Sequence, residues 1–134
     1  MNYWLVKSDP ETYGWDELVK EKETAWTGIR SYAARNNLRL MKKGDEVLFY
    51  HSNIGTCVVG IAKVSKEFYQ DPTTDEVAWV CINIKPLKKL KNTVSLNQMK
   101  ANSVLKNIQL IQIGRLSVMP VTKPEFDEVI KLSQ

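Results

Sequence analysis

Three short runs rich in β-branched and aromatic residues follow one another closely: E-V-L-F-Y-H at 46–51, T-C-V-V-G-I-A-K-V at 56–64 and V-A-W-V-C-I-N-I-K at 77–85. They are separated by S-N-I-G at 52–55 and by a loop containing Y-Q-D-P-T-T-D at 69–75. Runs of this length between turn residues read as strands. Three in succession predict an antiparallel meander. A meander leaves unpaired edges, and small sheets commonly hide them by curling into a closed or nearly closed barrel. Gly60, inside the second run, marks a bulge, a bend or a close approach.

The rest of the chain supplies further strands and the connections. N-Y-W-L-V-K at 2–7 reads as a strand ending in the turn Ser8-Asp9-Pro10. A short helix is expected over 15–22, its start closed by Gly14 and Glu17. A second is expected over 31–41, with Ser31 as N-cap and Ala34, Leu38 and Met41 at helical spacing. Ser95 with Gln98, and Thr122 with Glu125, have the spacing of capping boxes, the second opening a terminal helix with Pro124 in its first turn. Residues 108–121 are apolar but interrupted. With 134 residues and no repeat or linker, one domain over 1–134 is expected. Its fold class is α+β: five or six strands in a curled mixed sheet, with helices in the connections.

Composition is that of an ordinary globular domain, 43% hydrophobic and 25% charged. The N-terminus lacks the long apolar stretch of a secretory signal, and no run reaches the length of a membrane span. A cytoplasmic protein without membrane association is expected. Cys57 and Cys81 lie in apolar runs and read as small buried hydrophobes. One histidine and no Cys-x-x-Cys argue against a metal site. No phosphate-binding glycine loop and no His-Glu-x-x-His are present. His51 and Ser52 are adjacent, and adjacent side chains in a strand point apart. The residues give no enzyme signature and no cofactor.

The net charge of +4 is modest, but its distribution is sided. Residues 9–23 carry six acids. Residues 30–43 carry Arg30, Arg35, Arg39, Lys42 and Lys43 with no acid, and K-P-L-K-K-L-K at 85–91 forms another basic stretch. These are either solvated faces or the footprint of an anionic partner. Trp4 and Trp79 fall in strand patterns and are expected in the core, while Trp15 begins a helix. Trp26, in T-A-W-T-G-I-R, lies outside any periodic element. It either plugs the rim of the core or walls a site for a flat ligand. A nucleobase fits the second reading: it has a face to stack, edges to hydrogen-bond and a phosphate to pair.

The segments Y-W-L-V-K-S-D-P (3–10), W-T-G-I-R-S-Y-A-A-R-N-N-L-R (26–39), K-G-D-E-V-L-F-Y-H-S-N (43–53), V-V-G-I-A-K-V (58–64) and G-R-L-S-V-M-P-V-T (114–122) resemble the EVE domain family. The resemblance covers nearly the whole chain in order. It implies a PUA-like fold, a curled β-barrel related to the YTH and ASCH domains. It also implies binding of modified nucleobases in an aromatic-lined pocket, modified cytosine in DNA ahead of RNA. A separate nuclease or restriction protein would be the partner that acts on the bound nucleic acid. By matching motif, the base-pocket candidates are Ser8, Trp26, Arg30, Asn36, Asn37, Tyr50, His51, Ser52, Arg115, Leu116 and Ser117. The phosphate-contact candidates are Arg35, Arg39, Lys42 and Lys43. The family commonly has glutamate after the serine of the first motif, where this chain has Asp9.

Two readings compete with base recognition. A protein-interaction module would show a flat surface without a pocket. A nucleic-acid-processing enzyme would need acidic or nucleophilic groups converging in the pocket, with Ser8, Asp9 and Asp45 the places to look. Arg30 also has a scaffold alternative, a pair with Asp9 or Asp45, to which a planar guanidinium is well suited.

Overall fold

In a computed structural model describing all 134 residues, six strands form one mixed sheet flanked by five helices. The central strand pair is β1 (Tyr3–Ser8) beside β3 (Glu46–His51), running parallel, with Tyr3 opposite Glu46 and Ser8 opposite His51. The parallel sense forces residues 9–45 to cross back along the sheet before β3 begins. That crossover carries α1 (Trp15–Glu21), the two-residue strand β2 (Thr24–Ala25) and α2 (Tyr32–Leu40).

The expected meander is present. β3 pairs antiparallel with β4 (Cys57–Gln70), and β4 with β5 (Val80–Ser95). Both arms of this hairpin are longer than the hydrophobic pattern predicts: β4 continues six residues past 64, and β5 continues through the 85–91 basic stretch. β2 pairs with β5, and β6 (Val118–Val121) with the other side of β1. The strand order is β2-β5-β4-β3-β1-β6. β2 and β6 are therefore free edges, and the expected barrel is an open one. The curl comes from register shifts at Phe49/Tyr50 and at four places along β4, because each bulge bends its strand and increases its twist.

Local chemistry explains the helix starts. Ser31 Oγ accepts the Ala34 amide hydrogen. The boxes at Ser95–Gln98 and Thr122–Glu125 both form, opening α3 (Leu96–Lys100) and α5 (Lys123–Leu132). A 3-10 turn at Ser103–Leu105 and α4 (Gln109–Gln112) complete the path to β6.

The core lies between the sheet and α1, α2 and α5. Leu5, Leu48, Phe49, Leu38, Ile82 and Ile84 are fully buried in it. Trp15 packs face-down over Gly60. A Cβ at Gly60 would stand 2.6–2.7 Å from carbons of the Trp15 ring, so only glycine lets the helix approach the sheet this closely. Cys81 is buried, Cys57 half-buried, and both are free thiols. Trp4 is in the core as expected, at 4% exposure. Trp79 is not. The strand begins at Val80, and Trp79 closes the loop before it, half-buried at the surface with its indole nitrogen donating to Glu76.

Candidate functional site

A cavity of about 450 Å3 opens where β1 ends. Lys7 and Ser8 supply its floor from the strand. Asp9, Thr12 and Tyr13 come from the following turn, and Thr24, Ala25, Trp26, Thr27 and Ile29 from the segment around β2. Its volume lies within the roughly 300–1,000 Å3 typical of small-molecule sites. Trp26 forms the aromatic wall. Its amide donates to the Ile82 carbonyl at 2.7 Å. Its ring meets Phe49 edge-on at 5.7 Å and Tyr13 edge-on at 6.1 Å. At 8% exposure it belongs to the core, as the first sequence reading of Trp26 expects, and it also lines the cavity.

The polar lining is fixed by bonds to its neighbours. Ser8 Oγ donates to the Tyr13 carbonyl, holding the turn after β1 closed. Asp9 accepts from the Glu11 amide at 2.9 Å and the Asn53 side chain at 3.2 Å. Lys7 Nζ donates to the Gly114 carbonyl at 2.7 Å, and burial lowers its pKa. Burial, followed by the hydrogen bond to Glu21, pushes the Tyr13 phenol up to about 12, so it stays protonated.

The segment bearing Trp26 is held from behind by Asp71, a residue the sequence reading did not single out. Its side chain is fully buried. Oδ2 accepts the Gly28 amide at 2.8 Å and Arg30 Nη1 at 3.1 Å, while Oδ1 accepts the amide and hydroxyl of Thr73 at 2.7 and 2.6 Å. Burial alone would raise this carboxyl, but the donors from Thr73, Gly28 and Arg30 outweigh it and hold the pKa at about 2. Gly28 has φ +84°, left-handed backbone that glycine adopts without strain. Arg30 also donates to Thr73 Oγ1 at 3.0 Å. Its carboxylate partner is thus Asp71 and neither Asp9 nor Asp45. Asp45, 3% exposed, sits at the opposite end of β1 and accepts from the Asn2 amide, the Trp4 indole and the Lys42 amide.

Of the candidate base-pocket residues, the cavity brings together Ser8 and Trp26, with Arg30 next to the lining residue Ile29. Tyr50 and Ser52 border a neighbouring hollow of about 330 Å3 that shares Lys7 with the first. His51 lies at another hollow beside Trp15, where Nε2 accepts the Trp15 amide hydrogen at 3.1 Å. Burial lowers the His51 pKa, opposed by Asp16 and Glu17. Asn37 donates to the Val118 carbonyl at 2.7 Å and so ties α2 to β6. Asn36 accepts from Arg35. Arg115 is exposed, Leu116 is buried, and Ser117 contributes its carbonyl to the Lys7 amide at 2.9 Å.

Among the phosphate candidates, Arg35 lies over the Tyr32 ring at 4.9 Å and Arg39 over Phe68 at 5.8 Å. Lys42 stands 4.0 Å from Glu67, which also accepts the Lys43 amide. The lining residues Lys7, Thr12, Tyr13, Thr24, Ala25, Thr27 and Ile29 escaped the sequence reading, although Lys7, Thr27 and Ile29 lie inside the motifs quoted for Ser8 and Trp26. A larger hollow of about 890 Å3 lies at the other end of β1. Its aromatic residues are already engaged: Trp4 with Asp45, and Tyr3 against Phe126 at 4.4 Å. The larger hollow is lined by none of the base-pocket candidates, whereas Ser8 and Trp26 both line the cavity at Trp26, which is therefore the candidate site.

Comparison with known proteins agrees with this fold. A protein from Agrobacterium tumefaciens, 42% identical, superposes with a TM-score of 0.97 over 99% of this chain and 93% of its own. Human THYN1, whose crystal structure is a complex with 5-methylcytosine-containing DNA, is 31% identical with a TM-score of 0.92, covering 100% of this chain and 98% of that one. The YTH domain of Zygosaccharomyces rouxii MRB1, solved with N6-methyladenosine RNA, is 12% identical. Its TM-score of 0.63, over 99% of this chain and 86% of that one, shows a shared PUA-like α+β fold and nothing further. The EVE domain profile matches residues 2–132. The cavity walled by Trp26 and the sheet that carries it are therefore those of a chain that belongs to the EVE domain family.

Proposed function

We propose that this protein binds nucleic acid and seats one base, a modified cytosine in DNA, in the cavity under Trp26. The observation that carries the reading is the cavity itself. It combines one fixed indole wall with a ring of hydroxyl, carboxylate and ammonium groups from Ser8, Thr12, Thr24, Thr27, Asp9 and Lys7. A base removed from its stack needs a face to lie against and partners for its edge. The human relative in complex with 5-methylcytosine-containing DNA, similar over the full length of this chain, supports the choice of ligand. A flat interaction surface does not describe this region.

The enzyme reading has less support. Asp9 is the lone carboxylate in the lining, and Asp45 is committed at the far end of β1. No three His, Cys, Asp or Glu side chains are placed to hold a metal ion. Strand cleavage following recognition would then fall to a separate nuclease partner.

The test is a titration followed by tryptophan fluorescence. Matched oligonucleotides carry cytosine, 5-methylcytosine or 5-hydroxymethylcytosine, in DNA and in RNA, at two salt concentrations. Tighter binding of one modified DNA, lost in Trp26→Phe or Thr27→Val, is the expected result. Equal, strongly salt-sensitive binding of every oligonucleotide would reduce the interaction to backbone electrostatics and remove the pocket from the reading.

A further inference from the structure

Next to the cavity, four side chains from two distant segments form a second aromatic and cationic feature. Tyr32, at the start of α2, meets Trp79 from the loop before β5, with centroids 5.2 Å apart and planes inclined by 34°. Arg35 lies 4.9 Å above the Tyr32 ring and 5.8 Å from the Trp79 ring, and Arg30 lies 5.8 Å from Trp79. Tyr32 is 66% exposed, far more than a ring placed for packing alone. Arg30 is neutralised by Asp71. Arg35 has no carboxylate within ion-pair distance, and its side-chain partner is the neutral Asn36 oxygen. One turn further along α2, Arg39 lies over the exposed ring of Phe68, also without a carboxylate partner.

We propose that the Tyr32–Trp79 pair is a stacking platform for the nucleotide adjoining the base held in the cavity, with Arg35 receiving the phosphate between them. The proposal rests on the base-binding reading above and extends it to the flanking strand. Proximity follows from the chain: Ile29 lines the cavity and Tyr32 is three residues on, so their backbones lie within roughly 11 Å at full extension. Charge points the same way, since Arg35 and Arg39 lie without a carboxylate partner in a stretch, residues 30–43, that holds no acid. Exposed aromatic faces take any base, because every base has a π-face, while a cation beside them follows the backbone. Arg35 is pre-positioned by the rings beneath it, so little side-chain freedom is lost when a phosphate arrives. Trp79 and Tyr32 come from positions 47 residues apart in sequence, so Asp71 and Thr73, by gripping Arg30 and Gly28, hold both halves of the feature and one wall of the cavity in register.

The experiment uses end-labelled single-stranded DNA carrying one 5-methylcytosine, the same strand with cytosine, and versions with abasic nucleotides on both sides of that position. Binding is measured for the wild type, Tyr32→Ala and Arg35→Gln. Tyr32 is exposed enough that its removal leaves the fold intact, which a thermal melt verifies. Tyr32→Ala is expected to weaken binding of both full strands by about tenfold, leaving the ratio between methylated and unmethylated strands unchanged. It should also abolish the penalty that abasic flanks impose on the wild type. Arg35→Gln is expected to lower the salt slope by about one. If both variants bind like the wild type, or if abasic flanks cost the wild type nothing, the platform is overturned. A wild type that does not distinguish the methylated strand instead counts against the pocket reading, and the variants still decide the platform through absolute affinity.

Discussion

Asp45 and Asp71 are both buried carboxylates at the centre of small hydrogen-bond hubs, and they hold different parts of the molecule. Asp45 gathers the Asn2 amide, the Trp4 indole and the Lys42 amide, binding the start of β1 to the exit of α2. None of these groups lines the cavity at Trp26. Asp71 gathers Gly28, Arg30 and Thr73, which frame the segment bearing the aromatic wall. Burial therefore does not by itself separate scaffold from site. What separates them is the element that each carboxylate holds in place. Asp45 secures a regular strand and helix end, Asp71 a loop with positive φ at Gly28 that no ladder supports.

The sharpest way to break this contrast is to remove each hub in turn. Asp45→Ala leaves the Trp4 indole and two amides without their acceptor, at a cost of roughly 3 kcal/mol in urea unfolding. Affinity of the folded protein for modified DNA should stay within twofold. Asp71→Asn keeps the shape but discards the charge facing Arg30, and should cost about 2 kcal/mol. Here affinity for modified DNA should fall at least tenfold, because the wall and the platform lose their common anchor. Wild-type affinity in Asp71→Asn, or a collapse of affinity in Asp45→Ala, would erase the distinction.

Acid titration sharpens it further. The Asp71 carboxyl has a pKa of about 2 in the fold against an ordinary 3.8. A depressed acid stabilises the fold above its unfolded pKa, and that contribution disappears as pH falls from about 4 towards 2. The wild type should lose roughly 2 kcal/mol across that window through this group, and Asp71→Asn should lose correspondingly less. The smallest effect belongs to His51. Its pKa is lowered from 6.5 mainly by burial, and its neutral ring accepts the Trp15 amide hydrogen. Stability from this group is complete above pH 6.5 and declines as pH falls through the folded value. Between pH 7.5 and 5.5 the wild type should lose more stability than His51→Gln, measured by thermal melts.

Much of the scaffold was legible because it obeys simple periodicities. The strand at 46–51, the caps at Ser31, Ser95 and Thr122, and the close approach at Gly60 all carry local signals. The far halves of β4 and β5 carried none. Residues 65–70 and the lysines after Pro86 are mostly exposed, so no apolar alternation marks them, and ladder pairing alone keeps them extended. β2 is too short for any period. Trp79 looked like core because it sits in an apolar run, but the loop closes on it before the strand starts. Within the site, Ser8 and Trp26 stood out by residue type and motif. Asp71 did not, since its partners Gly28 and Arg30 lie more than forty positions away and an Asp-Pro-Thr-Thr loop looks like any turn.

The parallel pairing of β1 and β3 has a consequence for how such a protein diversifies. Two neighbouring strands that run the same way oblige the intervening chain to travel back along the sheet, and here that return path supplies most of the lining of the cavity and half of the aromatic platform. The outward positions of residues 9–33 can change without disturbing the ladder that β1 and β3 share. In the function proposed above, ligand preference is set by the crossover, and the sheet residues only carry it.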